Sequence, residues 1–185
     1  MAYLSNQFVD SPVFIYDNKN KLIAKTVVTG FNRDEMYIEV PRGLSSIKPK
    51  TRLHLLIIHP AGVSELSGVL KIVRQGLCEI SIFGEQQREG RASDRRIINA
   101  SAVISDMVTD ATAQPLSEPI PVVIENISAT GVLVKANAAR IEPGSLLQIE
   151  FAIGGKAVVL YGEVLRVRFT DGNSFEYGCQ LHFPD

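Results

Sequence analysis

The chain has 185 residues, 45% hydrophobic and 21% charged, enough for one large domain or two small ones with real cores. A formal net charge of −1 and a pI near 6.3 exclude a general binder of nucleic-acid polymers or membrane surfaces, whose affinity rests on many cations. No apolar run approaches the roughly 20 residues that span a bilayer. The first residues lack the basic and apolar regions of a secretory signal. Cys78 and Cys179 are too far apart, and too few, for a disulfide framework, so a cytoplasmic protein is expected.

Taken in order, the predicted elements are strands. Residues 12–16 form the first, followed by a turn at 17–20 and a second run over 22–28. A short strand at 36–40 ends at Pro41. Leu53, Leu55 and Ile57 alternate with Arg52 and His54 before the turn at 59–62. Runs at 66–73 and 77–83 close this block. After a basic stretch the pattern restarts at 97–104, and residues 101–109 fit helix or strand equally well. Residues 111–119 read as a polar loop marked by prolines. Strands follow at 121–126, 132–136 and 146–153, the last with Leu147, Ile149 and Phe151 on one face. Gly154-Gly155 signals a two-residue hairpin. The run 157–169 slips in its alternation at 162–165, where a bulge is expected, and the final strand covers 175–183. Such spacing suggests antiparallel sandwiches or barrels.

The two blocks read as copies of one plan. Residues 47–68 align without a gap on 141–162, bringing Pro49, Leu53, Leu66 and Gly68 onto Pro143, Leu147, Leu160 and Gly162. Residues 31–40 lie over 127–136, and 78–82 over 179–183. An internal repeat of this kind implies two similar domains.

Between the blocks stands Arg88-Glu89-Gly90-Arg91-Ala92-Ser93-Asp94-Arg95-Arg96, four arginines and two acids for a local charge of +2. Arginine recognises phosphate and the guanine edge through a rigid fork. On extended backbone Arg91 and Arg95 point the same way, roughly 13 Å apart, a span suited to a nucleotide-sized anion. Taken alone, the stretch also fits a solvated linker. About thirty residues on, Asn126-Ile127-Ser128-Ala129-Thr130-Gly131 is either an ordinary turn, with glycine at positive φ, or a polar rim that lets a ligand approach the backbone.

Together, in this order and spacing, Arg91-x-x-x-Arg95 and Asn126-x-Ser128-x-x-Gly131 resemble the signature of the PilZ domain, a bacterial receptor for cyclic di-GMP. Glu142-Pro143-Gly144, Gly162-Glu163-Val164 and Tyr177-Gly178-Cys179-Gln180-Leu181 are similar as well, extending the resemblance over roughly 88–183. The resemblance implies an all-β chain of two tandem six-stranded antiparallel split barrels. Residues 1–85 would form a barrel like that of flagellar-brake proteins, lacking both motifs, with Asn32 and Glu35 where the second copy has Ser128 and Gly131. Residues 86–185 would form the PilZ domain with its arginine arm. By the same resemblance Arg91 and Arg95 would bind phosphates and a guanine Hoogsteen edge. Asn126, Ser128 and Gly131 would line the barrel against the other base, and Arg88 and Arg96 are additional candidates.

Catalysis and metal binding find little support. His54, His59, His182, Cys78 and Cys179 include no close ligand pair. Ser128 has no neighbouring base and no nucleophile elbow. The expected function is therefore a non-enzymatic cyclic di-GMP effector needing no cofactor. It would change its interdomain arrangement to regulate motility, biofilm or exopolysaccharide output through flagellar, pilus or polysaccharide machinery, with a homodimer compatible. Rival readings are a PilZ-like adaptor that binds no ligand and a split-barrel flavin enzyme.

Overall fold

The computed structural model describes residues 6–40, 44–74, 76–85, 95–109, 112–137, 141–170 and 173–183. Arg88, Arg91 and the expected domain boundary at 85/86 lie outside these residues. Apart from two short 3-10 turns, Asn6–Phe8 and Leu44–Ser46, the described elements are strands. Six of them, β1 (Pro12–Tyr16), β2 (Leu22–Asn32), β3 (Glu35–Glu39), β4 (Arg52–His59), β5 (Gly62–Arg74) and β6 (Leu77–Glu85), close into an antiparallel barrel in the order β1-β2-β3-β6-β5-β4. The other six close into a second barrel. They are β7 (Arg96–Thr109), β8 (Thr112–Ile127), β9 (Gly131–Asn137), β10 (Leu146–Ile153), β11 (Lys156–Thr170) and β12 (Ser174–His182). Its order, β7-β8-β9-β12-β11-β10, is that of the first barrel. Each barrel belongs to its own compact unit. No helix among the described residues is long and apolar enough to cross a membrane.

The alternation read from the sequence places the cores. In β10, Leu147, Ile149 and Phe151 are buried while Gln148 and Glu150 are not. The first barrel encloses a cluster that includes Val13, Ile15, Val28, Met36, Ile38, Leu55, Ile57 and Ile80. The Asp17–Asn20 turn is held by Asp17 Oδ1, which accepts the backbone N–H groups of Lys19 and Lys21 at 2.8 and 2.9 Å. Gly154 and Gly155 take φ of +57° and +77°, as a two-residue hairpin of the primed type requires.

The copies share three register shifts as well as their strand order, while those at Ser67/Gly68, Ile97/Ala100 and Gln148/Ile149 fall in one copy only. Register shifts fall between Ile15 and Tyr16, Val28 and Gly30, and Leu70 and Ile72 in the first barrel. In the second they fall at the matching places, between Ile104 and Asp106, Ile124 and Asn126, and Val164 and Arg166. The last of these is the bulge expected from the slipped alternation, and it leaves Leu165 as the extra residue.

Two expectations are corrected. Residues 111–119 are not a loop in the described part, because β8 runs from Thr112. Its first half pairs with β7 alone, and β9 joins only from Val122. Pro115 and Pro119, which donate no backbone N–H, sit on this one-sided stretch where the loss is tolerated. The overlay of 78–82 on 179–183 is also two residues out. Cys78 faces Ile38 and Val73, just as Tyr177 faces Val134 and Val167, so Ile80 is the counterpart of Cys179.

One pair of glycines holds the duplicated closure. A Cβ on Gly68 would stand 2.6 Å from Ile80 Cγ2 and 2.9 Å from the Ser81 carbonyl oxygen, and one on Gly162 would stand 3.0 Å from Cys179 Cβ. Backbone cannot yield as a side-chain tip can. Gly68→Val is therefore expected to destabilise the first barrel by about 1–3 kcal/mol or more through overpacking. An unchanged urea midpoint would contradict this.

Candidate functional site

The second barrel carries a cavity of about 510 Å³, within the range of small-ligand sites. Its walls are built from three regions of the chain. The first is the entry to β7. Arg96 pairs with Ile127, so Arg95, one residue earlier, leaves the ladder beside Ser128, exposed and on the cavity wall. Arg96 points the other way: it is 4% exposed and is not among the described residues that line the cavity.

The second region is the β8–β9 connection. Asn126 follows the β8 bulge and pairs with Leu133, which brings its side chain to the cavity. Ser128 closes the turn twice, its N–H donating to the Gly131 carbonyl oxygen at 2.8 Å and its hydroxyl to the same oxygen at 3.3 Å. The Leu181 N–H donates to the Thr130 carbonyl oxygen at 3.0 Å, fastening the turn to β12. Gly131 does not have a positive φ, so the turn needs no glycine for its backbone. What the glycine supplies is space: a Cβ would lie 3.1 Å from the Cys179 carbonyl oxygen, a tight contact, and 3.8 Å from Ser128 Oγ. Four of the expected residues, Arg95, Asn126, Ser128 and Gly131, are thus brought to one cavity.

The third region was not read from the sequence. Leu165 and Arg166 of β11 and Gly178 and Gln180 of β12 complete the wall. The slipped alternation at 162–165 pointed to Leu165 as irregular, but nothing in the order of residues tied it to the arginines. Among the described residues that line the cavity are two arginines and no acid. Such a wall favours an anion, with Asn126, Ser128 and Gln180 offering hydrogen bonds for orientation.

The first barrel shows the same place closed. By strand pairing Glu35 stands for Gly131, Glu79 for Gly178 and Lys71 for Leu165. Lys71 Nζ pairs with Glu35 and lies 3.3 Å from Glu79, and the Tyr37 hydroxyl donates to Glu35 Oε2 at 3.2 Å. The hydrogen bond from Lys71 holds the Glu35 carboxyl below its usual range, and Glu35 in turn raises the Lys71 ammonium. Both glycines have become carboxylates, and a lysine occupies the space between them.

Among the described residues no group of three or more His, Cys, Asp or Glu side chains could hold a metal ion. Burial pushes both thiols, Cys78 and Cys179, up to about 12. A group that holds its proton more tightly when folded stabilises the fold below its unfolded pKa, near 9, and loses that contribution as the pH rises toward 12. Neither thiol is therefore expected to react with a disulfide reagent at pH 8 in the native protein, and both should react after denaturation. Rapid native labelling would contradict the burial.

Of the two antiparallel barrels, the second thus carries a cavity whose described lining residues include Arg95 and Arg166 and no acid. The chain belongs to the PilZ domain family, which matches residues 87–185, more than half of its length. The family is one of cyclic di-GMP receptors and effectors rather than enzymes. Among solved structures, the chain is similar to the inhibitor of motility MotI/DgrA of Bacillus subtilis at 13% identity, over 94% of this chain and 88% of that one, with a TM-score of 0.38. It is also similar to MrkH of K. pneumonia in complex with c-di-GMP (17% identity, 95% and 80% covered, TM-score 0.39). A third is YcgR of Escherichia coli in complex with c-di-GMP (11%, 94% and 76%, TM-score 0.35). None of the curated proteins matches the chain in sequence.

Proposed function

We propose that this chain is a cytoplasmic receptor that binds cyclic di-GMP in the cavity of its second barrel and passes the signal to a protein partner. Arg91 and Arg95 grip phosphate and the guanine edge, while Asn126, Ser128 and Gly131 receive the other base, with Arg88 within the same arm as a further contact. Residues 1–85 act as the partner domain and 86–185 as the ligand domain. The reading requires no cofactor. The observation that carries it is the meeting of Arg95 with Asn126, Ser128 and Gly131 on a wall whose described residues include two arginines and no acid. A dianionic ligand with two flat bases suits such a wall, since charge-assisted forks and guanidinium faces serve both of its parts.

The first barrel does not offer a second site, because Glu35 and Glu79 stand where the glycines should be. Position 90 is a glycine and brings no further cation beside Arg91. One ligand per chain is expected. Ligand binding then alters the arrangement of the two barrels, and through it a surface for flagellar, pilus or polysaccharide machinery, controlling motility, biofilm or exopolysaccharide output, as a monomer or a homodimer. Ligand can shift that equilibrium only by its differential affinity for the two arrangements. Calorimetric titration with cyclic di-GMP tests the binding, with saturable heat at one ligand per chain as the expected result. Absence of saturable heat would overturn the reading. Small-angle scattering with and without ligand tests the rearrangement, and identical profiles would reject it.

A further inference from the structure

We infer that Arg166, laid across Gly178, is a further ligand-binding residue of this cavity: a cation on the flank opposite Arg95. The inference rests on the reading that the cavity takes cyclic di-GMP.

Four observations converge on it. The first is position. In the sheet order β7-β8-β9-β12-β11, Arg95 enters from the β7 side and Arg166 from the β11 side, with Gly131 and Gly178 between them. A ligand with two phosphates presents a negative charge to each flank. The second is aim. Val164 pairs with Cys179 and Arg166 with Gly178, so the extra residue Leu165 sits between successive pairs. On a regular strand, neighbours point to opposite faces. The bulge lets Leu165 and Arg166 both line the cavity, one as an apolar rim and the other as a cation.

The third is the glycine. Gly178 has no positive φ, so its backbone does not demand the residue. A Cβ there would stand 2.5 Å from Arg166 Nε, 2.8 Å from Cγ and 3.1 Å from Cδ. The side chain lies along the very space that any other residue would fill. The fourth is charge. Arg168, on the same strand, reaches Glu176 at 4.0 Å, whereas Arg166 has no acidic partner among the described residues. In the closed first barrel both members of the pair are gone, with Ile72 in the place of Arg166 and Glu79 in that of Gly178.

The test is calorimetric titration of cyclic di-GMP into the full chain and into Arg166→Ala, Arg166→Lys, Gly178→Val and the double variant Arg166→Ala/Gly178→Val. Arg166→Ala should lose about ten- to a hundredfold in affinity, the range for a charge-assisted contact, with an unchanged Tm of the ligand-free protein. Arg166→Lys should recover part of that loss by restoring charge without the fork. Gly178→Val should lose a similar factor by displacing Arg166, and the double variant should be no weaker than the weaker single one. Should Gly178→Val fail to fold, the two Arg166 variants decide alone. Wild-type binding with Arg166→Ala within about twofold of it would overturn this inference and leave the receptor reading standing. No binding by the wild type would overturn both.

Discussion

Alanine in place of Arg95 is expected to weaken cyclic di-GMP binding about tenfold or more, and alanine in place of Arg91 to do the same, with the fold intact in both. One charge-assisted hydrogen-bonding fork is worth roughly 1.5–3 kcal/mol, and each 1.4 kcal/mol is a factor of ten in affinity. Arg95 stands at the mouth of β7, exposed, with no acidic partner among the described residues, so its removal costs the free protein little. Arg96, next in sequence, should behave in the opposite way. Its side chain is 4% exposed and off the cavity wall, so Arg96→Ala should lower the melting temperature more than it lowers affinity. Titration calorimetry and thermal unfolding on the three variants separate the two roles. Unaltered affinity in both the Arg91 and Arg95 variants would remove the cavity from consideration as the cyclic di-GMP site.

The contrast between these neighbours was not legible as a run of letters. Two adjacent arginines look alike in sequence, and only the start of the β7 ladder at Arg96 sends one inward and the other out. Most of the strands were legible because alternation is a local signal: Leu147, Ile149 and Phe151 declare their face without help from the rest of the chain. Where local signals conflict with tertiary pairing, the reading failed. The prolines of 111–119 are turn residues by composition, yet both lie within β8, Pro115 opposite Asp106 of β7 and Pro119 in the register shift before Ile120, on a stretch that β9 does not reach. The slip of two residues between 78–82 and 179–183 has a different origin. Side chains on a strand repeat every second residue, so a shift of two leaves the apolar pattern intact and only the pairing reveals it.

The site divides along the same line. Arg95, Asn126, Ser128 and Gly131 could be found together because they sit in two compact motifs. Leu165, Arg166, Gly178 and Gln180 come from two later strands and reach the cavity only through the order β8-β9-β12-β11. Gly131 itself was visible, but for a reason that the geometry replaces. It serves by the space it leaves in front of the Cys179 carbonyl, since its φ is not positive.

That distinction yields the largest expected effect. Gly131→Glu should abolish measurable cyclic di-GMP binding while the barrel still folds. Without a positive φ, the position accepts an L side chain on backbone grounds, and the first barrel carries glutamate at the equivalent Glu35 of β3. The new Cβ would lie 3.1 Å from the Cys179 carbonyl oxygen, close enough to require a small adjustment but not a rupture of the β9–β12 ladder. The carboxylate would then project into a cavity whose charged side chains, among the described lining residues, are Arg95 and Arg166, and would compete with the phosphates for them. Like-charge juxtaposition in an interface costs several kcal/mol, about a hundredfold or more in affinity. Gly131→Gln supplies the control, since it fills the same space without the charge. If both variants lose binding equally, volume is what closes the site; if only the glutamate does, charge is. In the first barrel the charge is met by Lys71, so adding Leu165→Lys to Gly131→Glu should rebuild the closed arrangement, restoring thermal stability but not binding. Tight binding by Gly131→Glu would show that the ligand does not sit against this glycine, and the proposed pose would have to be abandoned.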